Sequence, residues 1–197
     1  MLSRSPCLST NGQFSGTRKR IIISCCFSDF WAQYQNDSSS ICFLTYFLEK
    51  AEDDEIKSVI EFALGLSKSH IKSITAILTE EKNVVPNGFS LKEDVDLTAP
   101  RLYSDSFVLN YINQMSKIGL TLYSASVSTS VRDDIKTYYM DCLNETMNLY
   151  KISTELLLSK GLFIRSPSLP NLEKVEFVKK QWFMLDVFGG EKTINSS

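Results

Sequence analysis

The side chains most able to hold a metal ion or a proton are one histidine and two carboxylates. His70 is the single histidine of the chain, and Asp37 and Glu145 lie in other amphipathic segments. Each of the three lies seven residues, two helical turns, from apolar residues on either side, which predicts a position on the buried face of a helix. These apolar residues are Ala63 and Ile77 around His70, Phe30 and Leu44 around Asp37, and Tyr138 and Ile152 around Glu145.

The three residues fall short of the ligand set of a ferritin-type di-metal site. Such a site takes a Glu from each of two helices and a Glu-x-x-His from each of the other two. The residue three positions before His70 is Ser67, and the residue three positions after Glu145 is Asn148. Because two carboxylates and one imidazole are too few to hold two iron ions, we expect no cofactor and no enzymatic activity.

Several interpretations of this region follow from the sequence. His70 is a core histidine with a hydrogen-bond partner, a member of a metal-free buried network with Asp37 and Glu145, or the centre of a mononuclear metal site. A further hypothesis is a small-molecule site in the space beside Gly119 and Ser126, although close helix packing explains small residues equally well.

Four amphipathic segments must position these residues. Apolar residues recur at helical spacing over residues 29–51, 52–82, 104–129 and 135–160, which predicts four long helices. Ser130 followed by Asp133 resembles a capping box that opens the fourth helix. The connection over residues 83–103 is long enough to run the length of a helix, whereas the other two connections are short. This order predicts an all-α, ferritin-like four-helix bundle over residues 27–161, with a long crossover between helices two and three.

The two ends of the chain differ in character from the bundle. Residues 1–26 are rich in Ser, Gly and Arg without an apolar period, and we expect a disordered leader there. Residues 162–197 predict an extended segment and a short helix over residues 175–188 that packs on the bundle or on a second copy. The candidate interface residues of this short helix are Phe177, Trp182, Leu185 and Phe188.

The composition limits which kinds of binding partner and which cellular compartment we expect. A formal net charge of −2 and a pI of about 5.5 do not favour nucleic acid or an anionic membrane. No stretch approaches the ~20 apolar residues of a membrane span. Five cysteines without paired spacing predict a reducing, cytoplasmic setting. We therefore expect a protein partner or a homodimer.

Two distinctive stretches, Ala-Pro-Arg-Leu-Tyr-Ser-Asp at residues 99–105 and Lys-Gly-Leu-Phe-Ile-Arg at residues 160–165, carry a family resemblance. With residues 31–47, 52–70 and 115–122, they resemble domain of unknown function 3231, a family found mainly in endospore-forming bacteria. The resemblance covers about residues 29–190. It implies a ferritin-like bundle, sometimes labelled a putative spore coat protein, with no established activity. Family members often contain two bundles in tandem, which implies that this single bundle meets a second copy.

The leading functional hypothesis is a structural or interaction protein, associated with spores, whose bundle lacks an intact di-iron site. The alternative is a metal-binding or oxidase-type protein with a degenerate site around His70.

Overall fold

A computed structural model describes residues 24–167 of the chain, with side chains from residue 27 onward. This part of the chain contains five helices and no strand: α1 (Ser24–Lys50), α2 (Asp54–Glu80), α3 (Leu91–Asp94), α4 (Asp105–Thr129) and α5 (Asp133–Ser159). The predicted all-α fold class is confirmed. Helix α1 begins at Ser24, five residues before Asp29, where the apolar periodicity predicts the start of the first helix.

The helices all lie in the first of two units, Met1–Phe163 and Ile164–Ser197, into which the chain divides. The predicted helix over residues 175–188 and its interface residues Phe177, Trp182, Leu185 and Phe188 lie outside the described residues, as does most of the predicted leader.

Local side-chain chemistry fixes where α2 and α4 begin. The Asp53 carboxylate accepts hydrogen bonds from the backbone N–H groups of Glu55 (3.0 Å) and Ile56 (3.2 Å), and Ser104 Oγ accepts one from Phe107 N–H (3.2 Å). Both contacts satisfy backbone donors that a helix start leaves open. At its other end α2 stops where Lys82 adopts a left-handed conformation with φ of 58°.

The expected capping box at Ser130 is wrong. Ser130 closes α4 instead, with its hydroxyl donating to the Ser126 carbonyl at 2.6 Å. The residue that precedes α5 is Arg132, whose side chain makes no capping hydrogen bond. It forms ion pairs with Asp134 (2.6 Å) and Glu81 (2.7 Å), so the α4–α5 turn is tied to the end of α2.

The connection between α2 and α4 runs the length of α1. Near its start, Phe89 N–H donates to Ser38 Oγ at 3.1 Å. Further along, the Tyr46 hydroxyl donates to the Pro100 carbonyl at 2.6 Å. At its end, the Asp105 carboxylate accepts from Asp53 N–H (2.9 Å), at the α1–α2 turn. The long middle connection therefore returns the chain to the opposite end of the helices, as its length predicted.

The apolar core has two parts. The larger part lies toward the α1–α2 turn and includes Leu44, Ile60, Leu109 and Leu157. The smaller part lies toward the α4–α5 turn and contains Phe30, Ile74, Leu78, Ile135 and Tyr139. Between the two parts, α1, α2 and α5 place buried polar side chains at the same height, and this polar layer contains the candidate site.

Two glycines test how closely the crossover packs on α1. A Cβ atom on Gly88 would lie 2.8 Å from Ser38 Cβ and 2.9 Å from a Tyr34 ring carbon, whereas one on Gly65, exposed within α2, meets nothing within 4 Å. We predict that Gly88→Ala destabilises the fold by about 1–3 kcal/mol through overpacking. Gly65→Ala should instead stabilise it by about 0.5–1 kcal/mol through helix propensity. Urea unfolding of both variants checks this; equal effects would contradict the close packing of the crossover.

Candidate functional site

The polar layer combines side chains from four helices. Gln33 and Asp37 lie one turn apart on the inward face of α1, and His70 faces them from α2. Cys142 on α5 is also buried, and Tyr123 contributes a ring from α4. These side chains come together because each occupies the core stripe of its own helix at a matching height.

Asp37, His70 and Glu145 form a chain of charged contacts through the imidazole ring. Asp37 Oδ2 lies 3.3 Å from His70 Nδ1, and Glu145 Oε2 lies 3.2 Å from His70 Nε2. The side chains of His70 and Asp37 are 6% and 9% exposed, whereas that of Glu145 is 43% exposed. These contacts thus connect a buried carboxylate, through the imidazole, to a carboxylate at the surface.

The surroundings of His70 keep its ring protonated. Burial by itself would lower the pKa, but the close contact with the Asp37 carboxylate and the negative charge of that residue outweigh it, and contact with Cys142 acts in the same direction. The net effect raises the pKa of His70 from 6.5 to about 10. At neutral pH the ring is therefore an imidazolium with one carboxylate beside each nitrogen.

Neutral polar side chains surround the ion pairs. Gln33 Nε2 donates to the Tyr123 hydroxyl (3.3 Å) and to Cys142 Sγ (3.8 Å). The rings of Tyr123 and Tyr138 stand edge-on to the imidazole, with centroids 5.8 and 6.5 Å away. Burial raises the pKa of both tyrosine hydroxyls well above the usual value, so both remain neutral.

A cavity of about 280 Å³ reaches the polar layer from the gap between α1 and α4. Gln33, Asp37 and His70 line its inner part. Its rim contains the exposed side chains of Asn36, Ile118 and Leu122. Gly119 and Ser126, which the sequence placed beside a possible small-molecule site, also line this cavity.

The charged residues are arranged to hold a proton on the imidazole ring and not to bind a metal ion. A metal ion held by this group would need oxygen and nitrogen atoms that converge on one point at about 2 Å. Asp37 and Glu145 instead contact opposite nitrogens of the same ring, so they cannot share one ion with the imidazole. Within residues 27–167 no group of three or more His, Cys, Asp or Glu side chains is arranged to hold a metal.

Sequence periodicity placed Asp37, His70 and Glu145 on inward faces, and the structure brings all three together. It did not identify Gln33, although this residue lies three after Phe30 and four before Asp37 on the same stripe. Cys142 and Tyr123 also lie outside the candidate set that the sequence provides. A buried Gln one turn from a buried Asp was the signal that could have found the wider layer.

A family model described as "Protein of unknown function (DUF3231)" matches residues 15–175. The chain belongs to this family. The match begins earlier and ends earlier than the range 29–190 suggested by the motifs. The matched range includes every residue of the polar layer described above. No curated protein matches the chain.

Two solved structures resemble this DUF3231 chain in fold. A putative spore coat protein from Bacillus halodurans has a TM-score of 0.67 at 16% identity, over 76% of this chain and 96% of that one. A conserved hypothetical protein from Mycobacterium tuberculosis has a TM-score of 0.58 at 13% identity, over 75% of this chain and 98% of that one. At these identities the likeness establishes a shared helical fold.

The Asp37–His70 pair generates a prediction about stability. His70→Leu leaves the Asp37 carboxylate buried without its counter-charge, which should destabilise the fold by about 3 kcal/mol. The double variant Asp37→Leu with His70→Leu removes both charges and should recover most of that loss. Urea unfolding at pH 7 measures both. Undiminished stability of His70→Leu alone would show that the ion pair contributes nothing.

The raised pKa of His70 predicts how stability depends on pH. The folded state holds the imidazole proton up to about pH 10, whereas the unfolded chain releases it near pH 6.5. This contribution is therefore complete below pH 6.5, declines as pH rises, and is lost above about pH 10. Between pH 7 and 9 the parent should lose stability, relative to the Asp37→Leu/His70→Leu double variant, by on the order of 1 kcal/mol per pH unit. Parallel pH curves for the two proteins would contradict this assignment.

Proposed function

We propose that this chain is a non-enzymatic interaction protein with a ferritin-like bundle that self-associates through one uncharged helical face. The observation that carries the proposal is the uneven distribution of charge around the bundle. The α1/α4 face is defined here by the exposed side chains of Phe43, Phe107, Ile118 and Leu122, which are between 48% and 61% exposed.

Charged residues are nearly absent from the sequence that forms this face. Between Ser38 and Leu48 α1 has none, and beyond Asp105 α4 has Lys117 alone. The Lys117 ammonium lies 5.9 Å from the centre of the Tyr150 ring on α5, so it points toward that neighbouring helix. Exposed charges lie on α2 and α5, at Glu61, Lys68, Asp141, Lys151 and Glu155. Others lie on the crossover, where Asp94 and Asp96 line a groove at the edge of the face, beside Phe43. An exposed apolar face of this kind is typical of an interaction site.

Contacts between aromatic rings hold Phe43 and Phe107 of the α1/α4 face in place. Phe107 stacks on Tyr103 with ring centroids 4.9 Å apart, and Phe43 contacts Tyr111 at 6.3 Å. Aromatic side chains lose little conformational entropy on binding and are enriched at the energetic centres of interfaces. A preformed group of exposed rings therefore supports a docking surface.

A second copy of the chain is the occupant that this face fits. A partner must offer an apolar surface without charges, since an unpaired charge opposite these rings would lose its hydration. The α1/α4 face of another copy meets that condition, and a net charge of −2 gives little repulsion between copies. Two-fold dimers, in which the same patch meets itself, are the commonest soluble oligomers.

The ferritin-like topology and the setting belong to the same proposal. The order of short, long and short connections, with the long one running the length of α1, supports that topology. The likeness in fold to a putative spore coat protein supports association with spores. Among the residues whose side chains are described, Cys42 and Cys142 are free and buried, which agrees with a cytoplasmic origin. None of the described helices is long and apolar enough to cross a membrane.

The degenerate metal or oxidase site is the weaker alternative. It would need Asp37 and Glu145 to converge on one ion, but they contact opposite sides of the imidazole ring. Ser67 and Asn148 occupy the positions that would supply the missing carboxylate and imidazole. The interaction proposal needs no rearrangement of the core.

Self-association through the α1/α4 face predicts a sensitive response to charge. Phe107→Glu places a carboxylate among the aromatic rings of the interface, and we expect it to weaken the dimer at least ~100-fold, about 2.7 kcal/mol. Sedimentation velocity from about 1 to 100 µM, a range that detects a dimer with a dissociation constant of roughly 1 µM (about −8 kcal/mol), should show a parent dimer and a monomeric variant.

Met147→Glu is the matched control, because Met147 is 46% exposed on α5. It should leave the dimer unchanged, and circular dichroism should show the same helix content for all three proteins. A parent protein that stays monomeric over this range, or a Phe107→Glu variant that dimerises as the parent does, would contradict the proposal.

A further inference from the structure

The cavity between α1 and α4 contains a hydrogen-bonding group that the protein itself does not satisfy. Gln33 is 6% exposed, and its Oε1 atom is buried without a hydrogen-bond partner. Its Nε2 atom already donates to Tyr123 and Cys142, so the amide is held with the oxygen as the free acceptor. A buried acceptor without a partner is unfavourable, and a bound hydrogen-bond donor would remove that cost.

The charges that face the cavity are mainly negative. Asp29 and Asp37 line it, and His70 is the one basic side chain among its lining residues, which include no Lys or Arg. Two carboxylates, Asp29 and Asp37, and one imidazolium, His70, therefore give the lining a formal net charge of −1. Glu145 contacts the far side of the ring and does not line the cavity.

The rest of the wall suits an apolar body with a cationic end. The rings of Tyr111, Tyr123 and Tyr139 line the cavity together with Leu66 and Met115. Aromatic faces attract ammonium groups, and aliphatic side chains bury hydrocarbon. At about 280 Å³ the space lies just below the range for pockets that hold drug-sized ligands, ~300–1,000 Å³, which suits a smaller molecule.

We propose that this cavity binds a small organic cation, an alkylammonium, with its nitrogen at the Asp37 and Gln33 end. The ammonium donates hydrogen bonds to the Asp37 carboxylate and to Gln33 Oε1, and it neutralises the excess negative charge. The hydrocarbon part lies toward Met115 and the rim at Leu122. An anionic ligand would meet Asp29 and Asp37 in the same space and is excluded by charge.

Three probes with the same alkyl chain test the head group. Hexylammonium, hexanol and hexanoate are titrated separately into the full chain at pH 7 by isothermal titration calorimetry. We expect saturable binding of one hexylammonium per chain, binding of hexanol at least ~10-fold weaker (about 1.4 kcal/mol), and no binding of hexanoate. Equal affinity for hexylammonium and hexanoate would overturn the proposal, as would no saturable binding of any probe, which would mean that the cavity holds only water.

A pair of substitutions tests the position of the charge. Asp37→Asn removes the carboxylate but keeps its shape, and it should lower hexylammonium affinity at least ~10-fold. Asp141→Asn makes the same change at an exposed position on α5 and should leave affinity unchanged. Equal affinities in the two variants would overturn the assignment to Asp37. If Asp37→Asn does not fold, the head-group series on the unaltered chain decides the proposal by itself.

The alkylammonium site lies within one chain, although Ile118 and Leu122 belong both to its rim and to the α1/α4 face. Phe107 does not line the cavity, so the monomeric Phe107→Glu variant should bind hexylammonium at least as tightly as the parent. Loss of binding in that variant would contradict a site contained within one chain.

Discussion

The burial of one carboxylate against one imidazolium is the constraint on which the middle of this bundle depends. Neither Asp37 nor His70 could remain charged alone in an apolar core, because the loss of hydration would exceed any packing gain. Together they hold a proton that the isolated imidazole would release near neutral pH. Glu145 extends the pair to the surface, so the charge of the core is coupled to a group that solvent can reach.

This buried pair explains why the hydrophobic core is divided. Apolar side chains cannot satisfy the amide of Gln33 or the hydroxyl of Tyr123, so these groups collect around the ion pair and hydrogen-bond to one another. The gap between α1 and α4 lies beside the same layer. Gly119 on α4 faces α5, where an added Cβ atom would lie 3.1 Å from Thr146 Cγ2. The glycine therefore lets α4 lie close to α5, while a cavity remains on the side of α1.

The periodicity of the sequence was sufficient to predict the four long helices, the end-to-end crossover and the buried positions of Asp37 and His70. Glu145, predicted on the same kind of buried face, is instead 43% exposed, because it lies at the edge of its helical stripe. The periodicity could not show that the two carboxylates meet opposite nitrogens of the ring, because a seven-residue spacing gives the face of a helix and not the side-chain rotamer. Ser130 was misassigned because a Ser side chain can bond backbone groups either at a helix start or in a turn, and Asp133 three positions later gave the appearance of a capping box. The cavity depends on the separation of α1 and α4, which no local pattern encodes.

The nuclear magnetic resonance signal of the imidazole nitrogens tests the central claim most directly, because the chain has one histidine and its signal needs no assignment. If Asp37 holds the proton on His70, both ring nitrogens of the folded protein carry hydrogen at pH 8, and the ring titrates near pH 10. A neutral imidazole at pH 7, with one nitrogen unprotonated and titration near the ordinary value of 6.5, would contradict the account.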